Sequence, residues 1–101
     1  MTEINVPFLP EFRPAMLNGK KTMTSRTKRY GDIGDTFKRF GATFQIIMQR
    51  RMFLGVVAHV YYSQEGLNSE DEFIAVWNKI HPWKGFDPEQ LVWTHTFKRI
   101  E

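Results

Sequence analysis

Ser69-Glu70-Asp71-Glu72-Phe73-Ile74-Ala75-Val76-Trp77-Asn78-Lys79-Ile80-His81-Pro82 is the stretch that sets the fold class. Ser69 followed three residues later by Glu72 is a capping-box pattern, and the three acids Glu70, Asp71 and Glu72 suit the positive end of a helix dipole. Phe73, Val76, Trp77 and Ile80 then recur at helical spacing on one face. Lys79 and His81 suit the negative end, and Pro82 stops the helix. The pattern predicts one amphipathic helix over 70–80, with its apolar face read as core.

Outward from this helix the period changes to two. Leu91, Trp93, His95 and Phe97 alternate with Val92, Thr94, Thr96 and Lys98, which predicts a strand over 91–98. Upstream, two long strands are expected at Thr43–Gln49 and Phe53–Tyr62. They would form a hairpin with its tip at Arg50-Arg51 and a bulge at Gly55. Thr36–Phe40 reads as a short strand after the turn residues Gly31–Asp35, and Thr22–Arg26 reads as extended. A short helix is expected over 10–17, from Pro10 to the Asn18-Gly19 stop. The expected result is an α+β, barrel-like fold occupying residues 1–101 as a single domain, since a chain this short leaves little room for a second core.

The 42% apolar and 15% aromatic content suits a packed globule. There is no cysteine, which excludes disulfide scaffolds, thiolate zinc sites and cysteine nucleophiles. His59, His81 and His95 lack metal-ligand spacing, so no metal or other cofactor is expected. The start lacks a signal-peptide pattern, and the apolar run 53–62 is about half the ~20 residues a membrane helix needs. A cytoplasmic protein with no membrane partner is expected. Charge is unevenly spread. Residues 20–51 hold nine Lys/Arg against Asp32 and Asp35, while residues 52–101 hold four against seven Asp/Glu. A basic face of this kind suits an anionic partner.

The conspicuous polar segment is Gly19-Lys20-Lys21-Thr22-Met23-Thr24-Ser25-Arg26. A phosphate-binding P-loop needs a glycine five residues before the Gly-Lys pair and Ser/Thr after the lysine; those positions here are Pro14 and Lys21. No nucleophile-elbow motif occurs either. Strict strand alternation would put Thr22, Thr24 and Arg26 on one face and Lys21 on the other. Lys21 joins Thr24 only if the chain turns after Gly19 or its long side chain curls over the sheet's end.

Together, Gly19-Lys20-Lys21-Thr22-x-Thr24-x-Arg26, Gly34-Asp35-x-Phe37, Glu65-Gly66-Leu67, the Glu72-Phe73…Trp77 helix and Val92-Trp93-x-His95-x-Phe97 resemble an ASCH domain, across Phe8 to Ile100. That resemblance implies a PUA-like small β-barrel of about five to six strands, with a short N-terminal helix and one longer helix. It also implies a cleft for RNA or a modified nucleoside. One small bacterial branch of the family consists of N(4)-acetylcytidine amidohydrolases that use a lysine, a threonine and a glutamate. Carried over by motif, these are Lys21 as nucleophile, Thr24 as its assistant and Glu65 as proton carrier.

Lys20, Arg26, Lys28, Arg29 and Trp83 are the expected substrate or RNA contacts. Trp83, in the Pro82-Trp83-Lys84-Gly85 loop, is read either as a base-stacking residue or as a cap on the barrel. The chemistry is consistent with general requirements: an amide needs an activated nucleophile, a donor for the oxyanion and an acid for the leaving amine. A lysine reaches that state only when burial or a neighbouring cation such as Lys20 or Arg26 lowers its pKa. The rival readings are a ribonuclease acting on single-stranded RNA and a non-catalytic RNA-binding module.

Overall fold

The computed structural model describes residues 2–101. A 3-10 turn at Pro10–Phe12 leads into α1 (Arg13–Leu17). β1 (Met23–Arg26), β2 (Thr36–Arg39) and β3 (Ala42–Phe53) follow, then α2 (Leu54–Val60), α3 (Glu70–Ile80) and β4 (Leu91–Arg99). The strands form one four-stranded antiparallel sheet in the order β1-β4-β3-β2. This is fewer than the five to six strands expected. Two isolated bridges, Glu3 with Thr36 and Lys21 with Glu65, extend the pairing in place of further strands. The result is a curled half-barrel with helices against it.

The difference lies in residues 42–62. The chain does not turn at Arg50-Arg51; β3 runs straight through that pair, which stands opposite Thr94 and Trp93 of β4. The tight hairpin is instead at Phe40-Gly41, between β2 and β3, with Arg39 and Ala42 paired across it. Both central residues have positive φ, 55° and 78°, as a two-residue primed turn requires. A bulky Phe in that region hides the turn from a reading that looks for Asn-Gly or Asp-Gly.

Residues 54–60 are helical although Val56, Val57 and Val60 favour a strand. Leu54, Val57 and Ala58 are buried while Val56 and Val60 are exposed, the i, i+3, i+4 signature of a helix on a core. The helix start has no side-chain cap; its first donors find a distant loop. Leu54 N–H donates to Gln90 O at 2.7 Å and Gly55 N–H to Pro88 O at 2.9 Å, which satisfies two orphan groups. Gly55 makes no bulge but permits this approach, since a Cβ there would sit 2.8 Å from Pro88 Cβ.

Two buried clusters flank the sheet. One gathers Phe8, Met16, Phe37, Phe44, Ile46 and Phe97; the other gathers Leu54, Val57, Phe73, Trp77 and Val92. Phe97 and Val92 lie on opposite faces of β4, so this central strand feeds both clusters. A bulge between Ile46 and Met48 shifts the β3 register. No helix among the described residues is long and apolar enough to cross a membrane.

α3 forms as its sequence predicts. Glu72 N–H donates to Ser69 Oγ at 3.1 Å, the N-cap bond itself. Ser69→Ala is therefore expected to lower stability by about 0.5–2 kcal/mol, as read by chemical denaturation.

Candidate active site

The polar segment after α1 is shaped by its backbone. Gly19 takes φ 83°, and Lys21 N–H then donates to Ala15 O at 2.9 Å. Thr22 and Met23 N–H both reach Gln64 O, at 2.8 and 3.0 Å, which brings the 63–66 turn alongside. β1 begins only at Met23, so strand alternation does not govern Lys21. Its side chain curls back instead, and Nζ donates to Met23 O at 2.9 Å. Gly66 sits against it with φ 89°, where a Cβ would come within 2.7 Å of Lys21 Cβ. The turn therefore accepts only glycine at that position.

Lys21 and Glu65, 44 positions apart in sequence, meet in the interior at 3% and 5% exposure. Lys21 Nζ also donates to Glu65 O at 2.9 Å and lies 3.4 Å from Glu65 Oε1. Two carbonyls and one carboxylate thus face the three ammonium hydrogens. The other carboxylate oxygen, Oε2, accepts from Ser25 Oγ at 2.8 Å. Ser25 was not expected at the site. A lone serine between Thr24 and Arg26 carries no motif, and only the fold brings Glu65 to it.

On the neighbouring side, Arg26 Nε donates to Thr24 Oγ1 at 3.1 Å and its terminal nitrogen to Pro7 O at 2.5 Å. The Arg26 guanidinium lies 4.8 Å from the Phe8 ring centroid and 5.3 Å from that of Tyr30. Lys21 Nζ lies 4.5 Å from the centroid of Phe12. Burial pulls the Lys21 ammonium below its ordinary value; the Glu65 carboxylate opposes that, and the Arg26 charge adds to it.

These groups line a cleft of about 380 Å³. That is at the small end for ligand sites and leaves room for one small molecule. Phe73, Val76, Trp77 and Ile80 of α3 form its far wall. The apolar face of α3 therefore does more than fill core: Phe73 and Trp77 are buried, while Ile80 stays 42% exposed at the rim. Tyr30 lines the mouth, held by its N–H donating to His95 Nε2 at 2.9 Å.

Lys21, Thr24, Arg26, Lys28 and Glu65 all line this cleft. Lys20, Arg29 and Trp83 do not. Lys20 is exposed and reaches Asn68 Oδ1 at 2.5 Å, and Arg29 pairs with Asp32 in the loop after β1, with its guanidinium over Trp93. Trp83 is 83% exposed, so it caps no barrel; a cap has to be buried. The tryptophan at the cleft is Trp77. No group of three or more metal-ligating side chains that could hold an ion occurs among the described residues.

No known family signature and no curated protein matches the sequence. The fold does match solved structures. The ASCH domain from Lactobacillus crispatus JV V101 superposes with a TM-score of 0.65 at 11% identity, over 97% of this chain and 79% of that one. A protein from Enterococcus faecalis V583 of the family designated DUF984 gives 0.65 at 16% identity, over 98% and 75%. The hypothetical protein PH0355 gives 0.66 at 15% identity, over 98% and 96%. At these identities the likeness is one of fold.

Proposed function

We propose that this ASCH-like domain binds RNA or a modified nucleoside through a single nucleoside unit held in the cleft, and hydrolyses an N-acyl group such as the acetyl of N(4)-acetylcytidine. The observation that carries this reading is the buried Lys21–Glu65 pair opening into an aromatic cleft of one-ligand size. The aromatic walls suit a base, and the Arg26 guanidinium and the hydroxyl of Thr24 are donors for a carbonyl oxygen that gains charge. In the proposed reaction the neutral Lys21 amine bonds to the acyl carbon and gives its proton to Glu65. Glu65 returns that proton to the exocyclic nitrogen as the C–N bond breaks, which frees the nucleoside. Water then adds to the acyl-lysine, Glu65 carries its proton to Nζ, and the carboxylic acid leaves.

Incubation of the purified protein with N(4)-acetylcytidine and, separately, with single-stranded RNA tests this directly. The expected products are cytidine and acetate, with the RNA chain intact. Shortened RNA and no deacetylation would instead assign a ribonuclease.

One observation favours a second, non-catalytic reading. All three hydrogens of the Lys21 ammonium face acceptors, as in a structural cation. In that reading Arg26 and Lys28, not the buried Lys21, contact phosphate. Binding of RNA with steep salt dependence and no turnover of either substrate would support it.

A further inference from the structure

The basic charge of residues 20–51 is only partly absorbed by the cleft. Part of the remainder gathers round Trp93, at the open end of the sheet face that carries Phe97 further along, and the strand register orders it. Arg26 of β1 pairs with Trp93 of β4, and Trp93 pairs with Arg51 of β3. Directly paired residues share a face, so the three side chains form one row, spanning ~10 Å over two strand spacings. Arg26 is also a cleft residue, so the row begins at the cleft mouth. Two residues further along, on the same face, Phe53 pairs with Leu91; they are 52% and 45% exposed.

The chemistry of the row is aromatic and cationic in alternation. The guanidiniums of Arg51 and Arg29 lie 5.2 and 5.8 Å from the Trp93 ring centroid. Arg29 is fixed there by Asp32 and by Gln49 Oε1 at 3.1 Å. Arg51 is exposed and has no ion pair among the described residues, and the same holds for Lys28, whose Nζ lies 5.1 Å from the Tyr30 centroid. Two cations without acidic partners thus accompany three part-exposed rings, Tyr30, Trp93 and Phe53. A protein binds single strands in this way, with cations along the backbone and rings under the bases. The surface is a row on a sheet and not a pocket, which suits a chain running past it.

We propose that single-stranded RNA leaves the cleft over this row, with flanking bases on Trp93 and Phe53 and flanking phosphates on Lys28 and Arg51. The proposal extends the reading of the cleft but does not require turnover there.

The test is fluorescence anisotropy with a labelled single-stranded RNA of about ten nucleotides, run beside turnover of free N(4)-acetylcytidine. Arg51→Glu is expected to weaken RNA binding about tenfold or more. Arg51→Ala should lower the slope of log K against log salt by about 0.7, one phosphate's share for a single strand. Phe53→Ala should weaken binding about fivefold to a hundredfold through lost stacking. None of these changes touches the cleft, so any turnover of the free nucleoside should stay at the wild-type rate. Wild-type affinity in Arg51→Glu overturns the proposal. So does equal displacement of the RNA by polyglutamate, which would mark a site for acidic polypeptides. If the wild type shows no turnover while Arg51 still governs RNA affinity, the hydrolase reading falls and this one stands.

Discussion

Lys21→Met is expected to abolish the proposed deacylation and to destabilise the fold by about 3–5 kcal/mol. The two effects have different origins. Methionine keeps the unbranched apolar stem, one heavy atom shorter, but removes the amine, so the proposed nucleophile is gone. It also leaves the Glu65 carboxylate in the interior without its cation, the costly way to break a buried pair. Lys21→Met combined with Glu65→Gln removes both charges and is expected to regain most of the stability while remaining inactive. Turnover measured at equal folded fraction therefore separates chemistry from folding. Deacylation at the wild-type rate in the double variant would remove Lys21 and Glu65 from the mechanism. Lys21→Arg is a complementary check, because a guanidinium keeps the charge yet offers essentially no free amine.

The pH dependence follows from the same burial. The folded pKa of Lys21 lies below the ordinary 10.5. Between the folded value and 10.5 the unfolded chain binds more protons at this position than the folded one. Its contribution to stability therefore rises with pH across that window and is smallest below it. The neutral amine increases over the same range, so the proposed deacylation should rise with pH through the folded pKa. Lys21→Met should flatten the stability component of this dependence.

Trp77→Ala is the second large effect, at about 3–5 kcal/mol for the cavity left in the core. Trp77 is 5% exposed, packs with Phe73 at a centroid distance of 6.2 Å and stacks on His81 at 4.2 Å. Because it also lines the cleft, the variant should lose ligand affinity under conditions where it remains folded. Trp77→Phe should cost much less. The indole N–H is buried without a hydrogen-bond partner, so its removal forfeits no bond. A thermal midpoint unchanged in Trp77→Ala would show that this face of α3 does not hold the core together.

α3 was legible because every signal for it is local. Cap, acidic first turn, apolar period and proline stop lie within fourteen consecutive residues, and Ser69, Phe73 and Trp77 do what the pattern says. The short helix after Pro10, β1, β2 and β4 are likewise set by nearby punctuation. Residues 53–62 were not legible. Their valines prefer a strand, and the preference was overridden by carbonyls of Pro88 and Gln90, more than thirty positions away, that take the first donors of α2. The course of β3 is hidden from the local sequence for a related reason. A charged Arg50-Arg51 pair resembles a hairpin tip until β4 is present to pair with it, and the true turn at Phe40-Gly41 carries a residue that rarely adopts positive φ.

The candidate site divides along the same line. The local chemistry of residues 19–26, a glycine stop followed by amines, hydroxyls and a guanidinium, is written in the sequence. So is the uneven charge. What no local pattern contains is the pairing of Lys21 with Glu65, the serine that holds the second carboxylate oxygen, or the row that joins Arg26 to Arg51 through Trp93. Those depend on which strands are neighbours and in what register, and long-range burial decides both. Sequence by itself determined the capped helix, the polar segment and the basic half of this protein. Tertiary structure alone decided which of those side chains lose water and meet, because the desolvation that shifts a lysine or costs a carboxylate exists only once the distant chain has closed over it.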